Sequence, residues 1–234
     1  MTSLTLRTVG SLAFLAGIVG CSRDDAQTFR LDFAAGPQGW VAGFADYPAG
    51  QEDFYELEAD WRALPDSLDS GRSALYISGN NHSDDLWMYY KGRIGGLDAN
   101  RLYRVRFNLE IATAVPRGCV GVGGAPGEDV TVKAGASTDE PDAVLDGELL
   151  RMNVDKGQQT NPGPNAVVVG DVANSVACGE SPRWELEQLS SGAESVDVVT
   201  DRSGSVWLFV GTDSGFEATT SLYYTWVAAT LEPL

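Results

Sequence analysis

The sequence predicts an all-β chain, a single antiparallel β-sandwich of jelly-roll layout, and three observations carry that expectation. About ten short runs either alternate apolar and polar side chains or are rich in Val, Tyr, Phe and Trp. Gly and Pro, spread along the chain, punctuate those runs as turns. Only Ala59–Leu68 has helical character, and Pro65 limits it. Many strands and almost no helix leave a sandwich or barrel as the way to bury both apolar faces. A chain of 234 residues, less a leader, suits one large β domain, with no repeat, heptad or second hydrophobic block.

The elements follow in order. Thr28–Phe33 alternates as a half-buried strand, and Gly36–Trp40 is a turn that delivers a tryptophan. Gly43–Pro48 and Gln51–Tyr55 read as an acid-rich loop with Asp46, Glu52 and Asp53, and Phe54–Leu57 as a short strand. Leu75–Ser78 and Leu86–Lys91 are strand-like and form a hairpin-like unit. Arg101–Ala112 places Tyr103, Val105, Phe107, Leu109 and Ile111 on one face, so that face is core. Val130–Ala134 is a strand in which Lys133 has apolar neighbours. Leu149–Val154, Val167–Val169, Trp184–Leu189, Ser205–Gly211 and Leu222–Leu231 complete the strands, and Lys156–Asn165 is a long surface loop.

The hairpin-like unit holds the densest polar cluster, Asn80-Asn81-His82-Ser83-Asp84-Asp85, between aromatic runs. It contains the chain's one histidine. Leu86, Met88 and Tyr90 share one face of the following strand; Trp87, Tyr89 and Lys91 share the other, as core or as an aromatic platform.

Composition narrows the partners. The 33 Asp and Glu against 16 Lys and Arg give a net charge of −17, which excludes the basic footprint that nucleic acid needs. The Gly-rich stretch Cys119–Glu128 lacks the G-x-G-x-x-G spacing and any following Gly-Lys-Ser/Thr, so it is not a phosphate loop; small residues there let strands pack or bend.

Met1–Thr8 carries Arg7 and no acid, Val9–Val19 is apolar but too short to span a bilayer, and Ile18-Val19-Gly20-Cys21 closes the segment. This resembles a bacterial lipoprotein signal peptide, residues 1–20, with Ile18 and Val19 departing from the usual box. The resemblance implies lipidation of Cys21, a tether over residues 21–27, a β domain over residues 28–234 and a place in the bacterial cell envelope, at the outer membrane or cell surface. Cys119 and Cys178 then remain as an expected disulfide, which would close a loop of about sixty residues.

Phe29–Phe33 with its following Gly-Trp, Ile94-Gly-Gly-Leu-Asp-Ala-Asn-Arg-Leu-Tyr-Arg-Val-Arg-Phe107, Val206–Thr212 and Leu222–Leu231 together resemble the galactose-binding-like or carbohydrate-binding-module jelly roll. The likeness covers most of the domain in outline and is specific in two segments; the insert around Cys119–Ser137 departs from it. It implies a closing strand beside the first, glycan binding and structural calcium. The run Ser78–Asp85 is also similar to one in a set of exported bacterial proteins, which implies no activity.

Two function classes follow, with a third beside them. A carbohydrate-binding module would use Trp87 and Tyr89 for stacking, and Asn80, Asn81, His82, Asp84 and Asp85 for polar contacts. Calcium, which takes six to eight oxygens, has Asp46, Asp84, Asp85, Asp213 and Glu217 as eligible ligands. A hydrolase would use His82 with Asp84 or Asp85 and Ser83 or Ser78, or the pair Asp85 and Glu217. The third is a structural, protein-interaction surface lipoprotein.

Overall fold

The computed structural model describes residues 25–69 and 71–234; the lipobox lies outside them. In chain order the first strands are β1 (Gln27–Asp32), β2 (Val41–Ala45), β3 (Tyr47–Pro48), β4 (Glu58–Ala63), β5 (Ser73–Asn80) and β6 (Trp87–Ile94). There follow β7 (Leu102–Thr113), β8 (Val115–Arg117), β9 (Val130–Ser137), β10 (Ala143–Asp146), β11 (Leu149–Met152) and β12 (Ala166–Asp171). The last are β13 (Ala173–Ala177), β14 (Glu185–Ser190), β15 (Val196–Val199), β16 (Val206–Ser214) and β17 (Thr219–Pro233).

Two antiparallel sheets pack over one apolar core. The first centres on the long β17, which pairs with β7 on one side and with β5 and then β1 on the other. β4 extends it beyond β5, and β14 and β15 extend it beyond β7. The closing strand thus lies beside the first, Gln27 opposite Leu231 through Asp32 opposite Trp226. The second sheet runs β12-β9-β16-β6-β2. Tyr103, Val105, Phe107, Leu109 and Ile111 of β7 are all fully buried against Leu208, Val210, Val132 and Met88 of the second sheet, as the alternation predicts.

Three readings of local structure are corrected. Ala59–Leu68 is helical only at its end: residues 58–63 form the edge strand β4, and the helix is the single turn α1 (Asp66–Asp69). Phe54–Leu57 is a turn. Leu75–Lys91 is no hairpin, because β5 belongs to the first sheet and β6 to the second. The polar cluster Asn80–Asp85 is therefore the corner where the chain crosses between layers.

The outer face of the second sheet is covered. The small sheet β10-β11-β3 and the loop after β11 form a strap over it. Trp87, Tyr89 and Phe209 pack there with Ala143, Met152 and Val154 in a second, smaller core. Gly43 and Gly211 leave room for these rings: a Cβ on Gly43 would stand 2.3 Å from the Tyr89 ring, and one on Gly211 2.6 Å from Trp87.

Candidate functional site

The corner is held by Asn81. Its amide nitrogen donates to the carbonyls of Ser214 (2.8 Å) and Phe216 (3.0 Å), and its oxygen accepts from the Ser83 and Leu86 amides. At 2% exposure it organises the loop and presents nothing to a ligand. Trp87 and Tyr89 are at 0% exposure, so the expected stacking platform on that strand is corrected: the strap supplies the cover. Asn80 reaches Glu56, with Nδ2 3.4 Å from Oε1.

His82 projects outward and stacks on Phe54, ring centroids 4.2 Å apart at 26°, with Tyr55 edge-on at 5.4 Å. No hydrogen bond or ion pair joins it to Asp84 or Asp85 among the described residues. Ser83 Oγ donates to the Asp46 carbonyl (3.1 Å) and Ser78 Oγ to Ser221 Oγ (3.3 Å). The His–Asp–Ser arrangement is thus not assembled. Glu217 lies beside Gly123 and does not line the cleft with Asp85.

What the fold does bring together is a buried charge cluster under the strap. Asp213, fully buried, places one oxygen 2.8 Å from Lys133 Nζ and 2.9 Å from Lys156 Nζ. Lys156 also reaches Asp46 at 3.0 Å. Lys133 donates to the carbonyls of Lys156 (3.1 Å) and Asn161 (2.9 Å), so its three donors are used. Arg151 lies 3.4 Å from Asp46 and 3.6 Å from Asp85. Three carboxylates and three cations balance. Lys91 ties the other end of the strap to Glu140 (2.8 Å) and Asp142 (3.4 Å). The strand pattern showed Lys133 among apolar residues. A lysine in such a strand needs a buried partner, and that was the available signal for this cluster.

Three of the five carboxylates considered for calcium, Asp46, Asp85 and Asp213, do converge, but around ammonium and guanidinium groups. No group of three or more metal-ligating side chains forms among the described residues. The donor set does not fit calcium: the positions a divalent ion would take are filled by cations of the chain.

Above the cluster opens a cleft of about 600 Å³, floored by Asp46 and Asp85 and walled by residues 151–158. Asn153, Asp155 and Gln158 are exposed there. Asn153 is committed to the strap, donating to the Glu140 carbonyl and accepting from the Asp142 amide. The Asp155 carboxylate accepts from the Gly157 amide at 2.9 Å. Gln159 donates to the Asp84 carbonyl (3.1 Å), which fastens corner and strap to each other. Asp46 and Asp84 both take left-handed backbone conformations, φ 63° and 59°, at the turns that aim this floor.

Burial raises the Asp85 carboxyl from its ordinary 3.8 to about 6; the charges of Asp46 and Asp213 push the same way, and Lys156 and Arg151 oppose them. The fold therefore favours protonated Asp85. Its ionisation costs stability progressively as pH rises from about 4 to 6, because the unfolded chain has already lost that proton. Asp85→Asn is expected to raise the melting temperature at pH 7 and to leave it unchanged at pH 4. Melts across pH 4–7 check this; an equal offset at both ends would assign the change to a pH-independent effect of the amide on packing, and a lower melting temperature at pH 7 to loss of the Arg151 contact.

Comparisons with known proteins give only remote likeness. No family model matches the chain. No curated protein matches it. Among solved structures, it is similar to a xylanase 10B fragment of Clostridium thermocellum with CBM22-1 and GH10 modules, bound to xylohexaose. Identity is 15%, coverage is 86% of this chain and 27% of that one, and the TM-score is 0.37. This chain thus spans about a quarter of that protein. It is similar to the CBM22-1 xylan-binding domain of Paenibacillus barcinonensis Xyn10C, 14% identical over 92% of this chain and 99% of that one, TM-score 0.38. It is also similar to TmCBM27, a carbohydrate-binding module described for specific mannan recognition, at 10% identity, 88% and 98% coverage and TM-score 0.40. These are or contain modules of the class that the sequence resemblance names. At such scores the likeness carries no argument about a ligand, and the β-sandwich stands on its own strand pairing.

Proposed function

We propose that this protein is an exported ligand-binding module, lipid-anchored through Cys21, whose ligand is a carbohydrate held in the cleft between Asp46, Asp85 and residues 151–158. The observation that carries this reading is the character of the cleft. It is open and polar, and its floor is immobilised by buried ion pairs while its rim carries a guanidinium, a carboxylate and a primary amide. An apolar ligand would find little surface here to bury. A polyhydroxylated ligand finds donors and acceptors whose positions are set before it arrives, which lowers the ordering cost of binding. The leader motif supports the exported, anchored placement.

Calorimetric titration of the domain with xylo-, manno- and galacto-oligosaccharides tests the reading. One glycan class is expected to bind saturably, and Arg151→Ala and Gln158→Ala are each expected to weaken it about tenfold, one good hydrogen bond to a charged or amide group. Both side chains reach solvent, so the fold should survive the changes. Absence of binding by every class would overturn the proposal. So would binding indifferent to both variants.

A further inference from the structure

Among the Phe, Tyr and Trp side chains of the described residues, Phe54 is the one with more than half its surface exposed, at 58%. It is not loose. His82 backs one of its faces at 4.2 Å and 26°, and Tyr55 meets it edge-on at 5.8 Å and 78°. Tyr55 in turn packs on Tyr47 at 5.3 Å, and Tyr47 follows Asp46, a floor residue of the cleft. His82 is joined to the same floor through Ser83, whose hydroxyl bonds the Asp46 carbonyl. Two chain segments thus hold one phenyl ring from behind and couple it to the cleft, leaving its other face to solvent. Glu52 and Glu56, both exposed, stand two positions before and after it in the chain; Glu52 accepts from the Tyr47 hydroxyl and Glu56 from Asn80. The acidic border makes a poor seat for an anionic membrane or an acidic partner. A backed, exposed aromatic face in an acidic, polar stretch suits the C–H face of a pyranose, whose hydroxyls can bond nearby carboxylates.

We propose that Phe54, supported by His82, is a stacking subsite for a sugar unit beyond the cleft, so that the ligand is an oligosaccharide chain and not a mono- or disaccharide. The proposal rests on the cleft reading above. Rigid backing matters because a ring already fixed by His82 and Tyr55 loses little freedom when a sugar stacks on it.

The test is calorimetry with a length series, from disaccharide to hexasaccharide, of whichever class binds. Wild-type affinity is expected to rise with length. Phe54→Ala should lower affinity for the hexasaccharide about tenfold and leave the disaccharide unchanged, and Phe54→Tyr should restore it. His82→Ala should weaken the hexasaccharide less than Phe54→Ala does, since it removes support and not the ring. Equal affinity of Phe54→Ala and wild type for every length, with Arg151→Ala still impaired, overturns the subsite and leaves the cleft standing. Failure of every glycan to bind wild type overturns both.

Discussion

Asp213→Ala is expected to destabilise the domain by about 3–5 kcal/mol, the usual cost of stranding buried charge. Its carboxylate is the shared anion of Lys133 and Lys156, both almost wholly buried. Removing it leaves Lys133 with two carbonyls and Lys156 with Asp46, and it leaves two ammonium groups near each other without the charge between them. For a domain of this size that loss corresponds to a drop of roughly 10 °C in melting temperature. Urea unfolding of the single variant against Lys133→Met with Asp213→Leu would show the origin of the effect. The pair of apolar residues is expected to recover most of the loss, because well-packed side chains of similar volume replace a buried ion pair at little cost. A change under 1 kcal/mol in Asp213→Ala would mean that water solvates the cluster freely.

The strand Arg101–Ala112 was legible because its period-2 apolar face is sealed against the second sheet and its other face is half open. β4 was not. It is an edge strand with nearly every side chain exposed, so residues 58–63 have no buried face to impose a period. The segment Leu75–Lys91 shows two strands and a turn, but a turn says nothing about whether its strands share a sheet. The tie that decides is Asn81 bonding to Ser214 and Phe216, more than 130 residues away.

The site was legible in its address and not in its exposure. Asp46 and Asp85 do line the cleft, but Trp87 and Tyr89, the expected stacking rings, are roofed by Ala143, Met152 and Val154 from a segment more than fifty residues later in the chain. Local spacing cannot report that roof. It could report Lys133, since a lysine amid Val130, Val132 and Ala134 has to find a carboxylate. Arg151, Lys156 and Phe54 carried no such signal, because each sits in a stretch whose residues are ordinary for strands and loops.

Removing the disulfide, by reduction or as Cys119→Ser with Cys178→Ser, is expected to cost about 4 kcal/mol in the chain-entropy model. The bond joins residues 59 apart with Cα atoms 5.0 Å from each other. It closes one end of a short parallel pair: β8 runs into Cys119 and β13 into Cys178, whose amide donates to the Arg117 carbonyl at 3.0 Å. Between the two cysteines lie β9, β12 and all of the strap but β3, that is, both the cover of the second core and the wall of the cleft. The fold keeps β9 in place through β16 and β12 without help from the bond. Its main effect therefore falls on the unfolded chain, which gains freedom when the loop opens. Urea unfolding with and without reductant separates the two origins. A lower midpoint with an unchanged or steeper slope is the signature of a freed unfolded state. Loss of glycan binding at low urea, before global unfolding, would instead place the effect in the native strap, and an unchanged midpoint would mean that β8 and β13 hold the loop closed without the bond.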